Sequence, residues 1–435
     1  MHLPRRLTIA ALAAATAALI ATPANPAAAA NTPSVYATSE TPALFDDAAG
    51  GDANADDPAI WFNAADPDAS LVIATAKQGG LRVHDLGGNE IQSIQAPAAP
   101  GPENEPGRYN NVDLLSGLKI KGTRTDIAVV SDRGRDRLRI YGIDRDHPDA
   151  PLTDLTDPAA PRVFSATEAD VDDQQTAYGL ATWRNAANGR YYALASQRHT
   201  TGLALMELTA TATGTVTYHR IRTLALPSSF DIGHGTRWTP CDEPGRTPQV
   251  EGMVVDAERG FLYAAQEDVG IWRMRADLTG TPHIVDKVRE FGIPGTYDPV
   301  ADECVAGADP GVGGKRITAD VEGLTIYRED DGEGYLLASS QGDNTFVAYE
   351  REGDNDYVGN FRVAPAAGAG AIDGSEECDG AAVLNAPLGD AYPHGLLVVH
   401  DGFNAPDVTG EDGEVRTDTN FKFVDWDDVD DALDD

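Results

Sequence analysis

The sequence predicts an all-β chain folded as a single-domain, six-bladed β-propeller. Three observations carry this reading. A strand–loop–strand unit recurs six times, a short strand precedes each unit, and the chain is rich in Gly and Pro with few apolar stripes of helical period. The units fall at 71–75 with 81–85, 126–130 with 137–141, 191–195 with 203–207, 261–265 with 270–274, 335–339 with 345–349, and 396–400 with 421–425. Each is β-branched or aromatic and is broken by Gly, Asp or Asn, as strands and tight turns require. The leading strands begin near Pro58, Asp113, Tyr178, Glu251, Glu322 and Asp379. Three of them start on a near-copy: Tyr178-Gly179-Leu180, Glu251-Gly252-Met253 and Glu322-Gly323-Leu324. A repeat of roughly 55–75 residues holds one four-stranded sheet, and six sheets set radially keep the chain in one domain. A pair of β-sandwiches is the rival, but no linker-like change of composition divides the chain.

The N-terminus reads as an export signal over residues 1–30. Arg5 and Arg6 precede an apolar run from Leu7 to Ile20, and alanines at 27–30 suit cleavage. The run is shorter than the ~20 residues that span a bilayer. The expected organisation is a secreted, extracellular monomer with no membrane partner. A flexible leader at 31–50, the propeller at 51–428 and a solvated acidic tail at 429–435 follow the signal. With 70 acidic against 33 basic residues the chain is no nucleic-acid binder. The same excess suits calcium, which takes many oxygen ligands. Cys241 and Cys304 lie in long Gly/Pro-rich loops and are expected to pair, leaving Cys378 free; the spacing is not that of a zinc site.

Topology then predicts a site. In an antiparallel blade the start of the first strand and the end of the second share one rim. The starts bring Asp56 with Asp57, Asp113, Tyr178, Glu251, Glu322 and Asp379, with Asp320 beside them; the ends bring Lys77, Arg133, Arg198, Glu267, Gln341 and Asp401. At the strand ends the first three repeats thus supply Lys and Arg, and the last three supply Glu, Gln and Asp. Any one carboxylate reads equally well as a strand-end turn residue. As a set they need neutralising, since two charges ~5 Å apart repel by about 3 kcal/mol at an effective dielectric near 20. All-oxygen donors favour calcium over magnesium or manganese, and the Arg and Lys sector points to phosphate. Other phosphatase motifs fail. Beside His234-Gly235-Thr236-Arg237, Gly233 replaces the arginine of the histidine acid phosphatase signature. The 241–246 segment is one residue short of a cysteine phosphatase loop, and Arg316 stands where a P-loop needs Ser or Thr.

From about Asp56 to Trp426 the chain resembles the bacterial β-propeller phytases, or alkaline phytases. The resemblance is carried by Asp56-Asp57-Pro58-Ala59-Ile60-Trp61, Asn110-Asn111-Val112-Asp113, Glu251-Gly252-Met253, Glu267-Asp268 with Ile271-Trp272, Asp320-Val321-Glu322-Gly323-Leu324-Thr325-Ile326-Tyr327, Ser339-Ser340-Gln341-Gly342 and Asn420-Phe421-Lys422. It implies several calcium ions, structural and catalytic, and stepwise removal of phosphate from phytate, preferably calcium-phytate, by metal-activated water. It places Asp56, Glu251, Glu267, Asp320, Glu322 and Asp379 in the catalytic calcium cluster, with Gln341 beside them. It makes Lys77, Arg133 and Tyr178 phosphate-binding, and Asp57, Val112 (through its carbonyl) and Asp373 structural calcium ligands. The chain departs from the family at Gln78 and at Arg198-His199, where lysines are usual. Arg198 keeps the charge for phosphate, whereas His199 is expected to lose its charge near neutrality. Extra loops stand near 97–108, 232–248, 292–314 and 404–417, the middle two bearing Cys241 and Cys304. A calcium-dependent lactonase or phosphotriesterase, or a non-enzymatic calcium-stabilised binding module, are the alternative readings.

Overall fold

The computed structural model describes residues 32–329, 331–368 and 370–434. The export signal expected at 1–30 lies outside the described residues. Among those described, six sheets of four or five strands dominate the fold. The first runs outward through Pro58–Trp61, Leu71–Thr75, Leu81–His84 and Glu90–Ile94. The innermost strands of the other five are Tyr109–Ile120, Ala177–Arg184, Val250–Asp256, Val321–Arg328 and Ala381–Leu384. Each innermost strand packs against that of the next sheet, and the sixth packs against the first. An axial cavity of about 510 Å³ is lined by all six, through Ile60, Leu114, Thr182, Val254, Thr325 and Ala382. The ring is a six-bladed β-propeller, as expected, and two sandwiches would have no such axis. Every blade is covered on both faces by its neighbours, which is why second strands such as Leu71–Thr75 are buried along their whole length rather than alternating.

Two expectations about the chain ends are corrected. The leader at 31–50 contributes strands: Ser34–Val35 pairs in parallel with Tyr357–Val363 of the fifth blade, while Ser39–Glu40 and Leu44–Phe45 pair with Asp418–Asp425 of the sixth. The sixth blade has only three strands of its own, and its outer edge offers unpaired N–H and C=O groups that the N-terminal segment takes up. The acidic tail at 429–435 is mostly helix, spanning Trp426–Asp434. Its Trp426 ring stacks on Tyr327 with centroids 3.6 Å apart, and Val429 is fully buried. Asp427 and Asp428 in the first turn suit the positive end of the helix dipole.

Close packing at the axis accounts for the near-copied triplets. Register between the innermost strand and its partner shifts across Tyr109/Val112, Ala177/Leu180, Val250/Met253 and Val321/Leu324. Each shift is a β-bulge, which inserts a residue and re-aims its side chain. A Cβ on Gly179 would stand 1.9 Å from the Glu251 carbonyl oxygen, and one on Gly252 would stand 1.9 Å from that of Glu322. Glycine after the bulged residue therefore lets adjacent blades touch. Hydroxyls lock the joints. Ser196 Oγ accepts from Gly179 N at 2.8 Å and donates to the Val250 carbonyl at 2.6 Å. Thr75 Oγ1 links Asp57 N to the Asn110 carbonyl in the same way. Gly252→Ala is expected to destabilise the fold by about 2–3 kcal/mol through overpacking, read as a lower thermal unfolding midpoint; an unchanged midpoint would contradict this contact.

Candidate active site

At one mouth of the axial channel the bulged residues meet the ends of the second strands. Oxygens of Glu251, Glu267 and Glu322 lie within 4.8 Å of one another. Glu251 and Glu322 sit in the bulges of the fourth and fifth blades, and Glu267 follows the strand Phe261–Gln266. Each is held in place. Asn110 Nδ2 and the Tyr178 hydroxyl donate to the two oxygens of Glu251, both at 2.6 Å. Gln249 Nε2 donates to Glu267 at 3.0 Å. Gln341 Nε2 donates to Glu322 at 3.0 Å and to Asp379 at 2.8 Å. Lys77 Nζ lies 3.2 Å from Asp379 and 3.9 Å from Asp56.

This cluster is short of positive charge. Burial, and then neighbouring carboxylates, push Glu267 and Glu322 well above the usual carboxylate range. Burial does the same to Asp56, against the pull of Lys77. Glu251 is raised by burial and by Asp379, despite the hydrogen bonds from Tyr178 and Asn110. Asp320 is pushed up to about 7 by burial, with Glu251 and Glu290 next in effect. Asp379 moves the other way, because Lys77 and His400 outweigh its burial. Lys77 is held in its charged form against burial by Asp379, Asp56 and Glu251. Glu267 Oε1 and Asp56 Oδ1 are buried without a hydrogen-bond partner. The three glutamate oxygens that meet there, one of them on the orphaned Glu267, are hard donors of the kind calcium takes.

Arginines stand beside the carboxylates. Arg133 Nη1 donates to Asn110 Oδ1 at 3.2 Å, and its guanidinium lies 5.6 Å from the centre of the Tyr178 ring. Arg198 is pushed down to about 10 by burial and by Arg133. Arg108 is depressed further by burial, Arg133 and Arg198. Nε of Arg108, Arg133 and Arg198 is buried without a partner in each case. Arg108 is ion-paired with Asp52, while the idle Nε donors of Arg133 and Arg198 suit an anion.

The phytase family model matches residues 5–234 and 297–435. The chain belongs to the phytase family. A 3-phytase of Bacillus subtilis (strain 168) is 33% identical over 362 residues, covering 83% of this chain and 76% of that protein. Among solved structures, a chain of the mitotic checkpoint complex is 10% identical at a TM-score of 0.41, covering 89% of this chain and 94% of its own. A Bacteroides thetaiotaomicron protein of unknown function is 11% identical at 0.41, covering 90% and 75%. Both are too distant to bear on the site. Between the two stretches matched by the phytase model lie Glu251, Glu267 and the loop with Cys241, so geometry ties these carboxylates to the site.

The phytase chain brings together Asp56, Lys77, Arg133, Tyr178, Glu251, Glu267, Glu322, Gln341 and Asp379, with Asp320 and Arg198 within electrostatic reach. Next to Asp56, Asp57 accepts from Val112 N at 3.0 Å. Asp373 accepts from Ala405 N at 2.6 Å and ion-pairs with the buried Lys422. Asp401, at the end of the strand Leu396–Asp401, lies 3.2 Å from Lys422. His199 does not titrate near neutrality as expected, since burial, Arg198 and Arg246 push it down to about 3. Cys241 and Cys304 form the expected disulfide, with Cα atoms 6.0 Å apart, and Cys378 is free and buried. Among the described residues no helix is long and apolar enough to cross a membrane. Sequence reading missed the roles of Arg108, Asn110 and Gln249. Only Asn110 carried a signal, through its place in the bulge that parallels Tyr178-Gly179.

Proposed function

We propose that this phytase removes phosphate stepwise from myo-inositol hexakisphosphate in a calcium-dependent reaction, acting outside the cell as a monomer. The observation behind it is a carboxylate cluster short of positive charge beside Arg133 and Arg198, whose Nε donors have no partner. Glu251, Glu267, Asp320, Glu322, Asp56 and Asp379 would hold the calcium ions, which supply charge neutralisation, polarisation of phosphoryl oxygens and activation of water. Lys77, Arg133 and Tyr178 grip the phosphate to be cleaved, and Gln341 fixes the carboxylates beside it. Arg198, with Arg133, holds a second phosphate, so a polyphosphorylated ring is anchored while one ester is cleaved. The formal charge of −37 repels free phytate, which favours calcium-phytate as the form that binds. A lactonase or phosphotriesterase site has no use for this arginine sector.

Phosphate release from sodium phytate with and without calcium, with the products separated by ion exchange, tests the reading. Turnover that survives thorough chelation would overturn it. Arg133→Ala is expected to lower kcat/KM for phytate by about 30–100-fold, the value of a charge-assisted hydrogen bond. Unchanged kcat/KM would remove Arg133 from the site.

A further inference from the structure

We propose that the loop carrying Cys241 is a wall of the substrate site, and that its Arg246 is a specificity-determining residue gripping a peripheral phosphate of the substrate. The proposal rests on the polyphosphate reading of the site. The loop belongs to an insertion and leads directly into the Glu251 bulge. Its far end is riveted to the site: Thr247 N donates to the His199 carbonyl at 3.1 Å, His199 N donates to Gln249 Oε1 at 2.7 Å, and Gln249 Nε2 reaches Glu267. Its near end is tied by Cys241–Cys304 to a hairpin from the other insertion, Gly295–Asp298 with Glu303–Ala306.

Between the two ties the chain turns tightly, Arg246 N donating to the Glu243 carbonyl at 3.0 Å. Arg246 is thereby set beside the Arg198–His199 turn, and its charge is felt by both residues. Its side chain is 40% exposed and ion-paired with Glu243, itself 43% exposed. An exposed pair of this kind contributes little to stability, but it keeps a guanidinium near Arg198 and His199 with a counter-ion that a phosphate can displace. Glu243 then competes with substrate. The disulfide acts through Arg246 and is a positioning element, not a catalytic one.

This gives substitutions with opposite signs. After phytate turnover by the unaltered enzyme is established, Arg246→Gln is expected to raise KM for phytate about threefold and to leave kcat in place. It should weaken inhibition by myo-inositol hexakissulfate, a non-hydrolysable probe, by a similar factor. The ratio of kcat/KM for phytate to that for p-nitrophenyl phosphate should fall, because a single phosphate does not reach the rim. Glu243→Gln should lower KM for phytate. A Cys241→Ser/Cys304→Ser protein should resemble Arg246→Gln, and combining the two should add nothing. Equal KM in both surface variants, or equal losses with phytate and p-nitrophenyl phosphate, would overturn the proposal. Those variants decide it even if the protein without the disulfide does not fold. Failure of the unaltered enzyme on phytate would instead refute the function proposed above.

Discussion

Calcium-free protein is expected to unfold at a lower temperature near pH 7.5 than near pH 5.5, and calcium to reverse that order. Asp56, Glu267 and Glu322 have folded-state pKa values well above their usual ones, chiefly through burial, and Asp320 is pushed up to about 7. A carboxyl with a raised folded-state pKa binds its proton more tightly folded than unfolded. Its contribution is fully favourable below the unfolded pKa, near 4, and is lost as pH rises through the folded one. For Asp320 that window runs from about 4 to about 7. Asp379 has the opposite sign, and its contribution is lost only in stronger acid. Calcium takes the deprotonated oxygens, so it should bind tightly at the higher pH and release protons as it does so. At a thousandfold excess over Kd, one site adds about 4 kcal/mol. Scanning calorimetry of protein dialysed free of calcium, at both pH values and with calcium restored, measures this. Greater stability of the calcium-free protein at the higher pH would mean that the carboxylates are neutralised from within the chain.

What the sequence disclosed and what it hid follow one rule. Features that repeat were legible. The second and third strands of every blade show themselves as apolar runs, and Tyr178, Glu251 and Glu322 share a bulge whose glycine is required by the next blade. Features set by contacts distant in sequence were not legible. Ser39–Glu40 pairs with Lys422 and Phe423, nearly the whole chain away, and a two-residue strand has no periodicity to read. Gln249 is one glutamine among several until it is seen to join His199 to Glu267. Arg108 acquires its place because Arg133 N donates to its carbonyl at 2.8 Å. Composition misled at the C-terminus, where acidic residues concealed the buried pair Trp426 and Val429. The partner of Asp401 was hidden in the same way, for Lys422, buried in the neighbouring strand, lies 3.2 Å from it.

Glu251→Gln is expected to raise the unfolding midpoint of calcium-free protein while lowering kcat for phytate by about a hundredfold or more. The substitution keeps size and shape, and Tyr178 can turn its hydroxyl to accept from the new amide, so packing is preserved. The charge disappears, and Glu251 is a named source of repulsion for Glu267, Glu322, Asp320 and Asp56. Relieving four buried carboxylates at once should outweigh the weakened bond to Asn110. The same charge is what would hold calcium between the fourth and fifth blades, so calcium affinity should fall with kcat. Stabilisation by calcium should therefore shrink in the variant even as the calcium-free baseline rises. A structural salt-bridge residue would behave differently, with stability falling and turnover following only as folded protein is lost. Movement of the two readouts in opposite directions separates a carboxylate retained for chemistry from one retained for the fold, and movement together would place Glu251 in the second class.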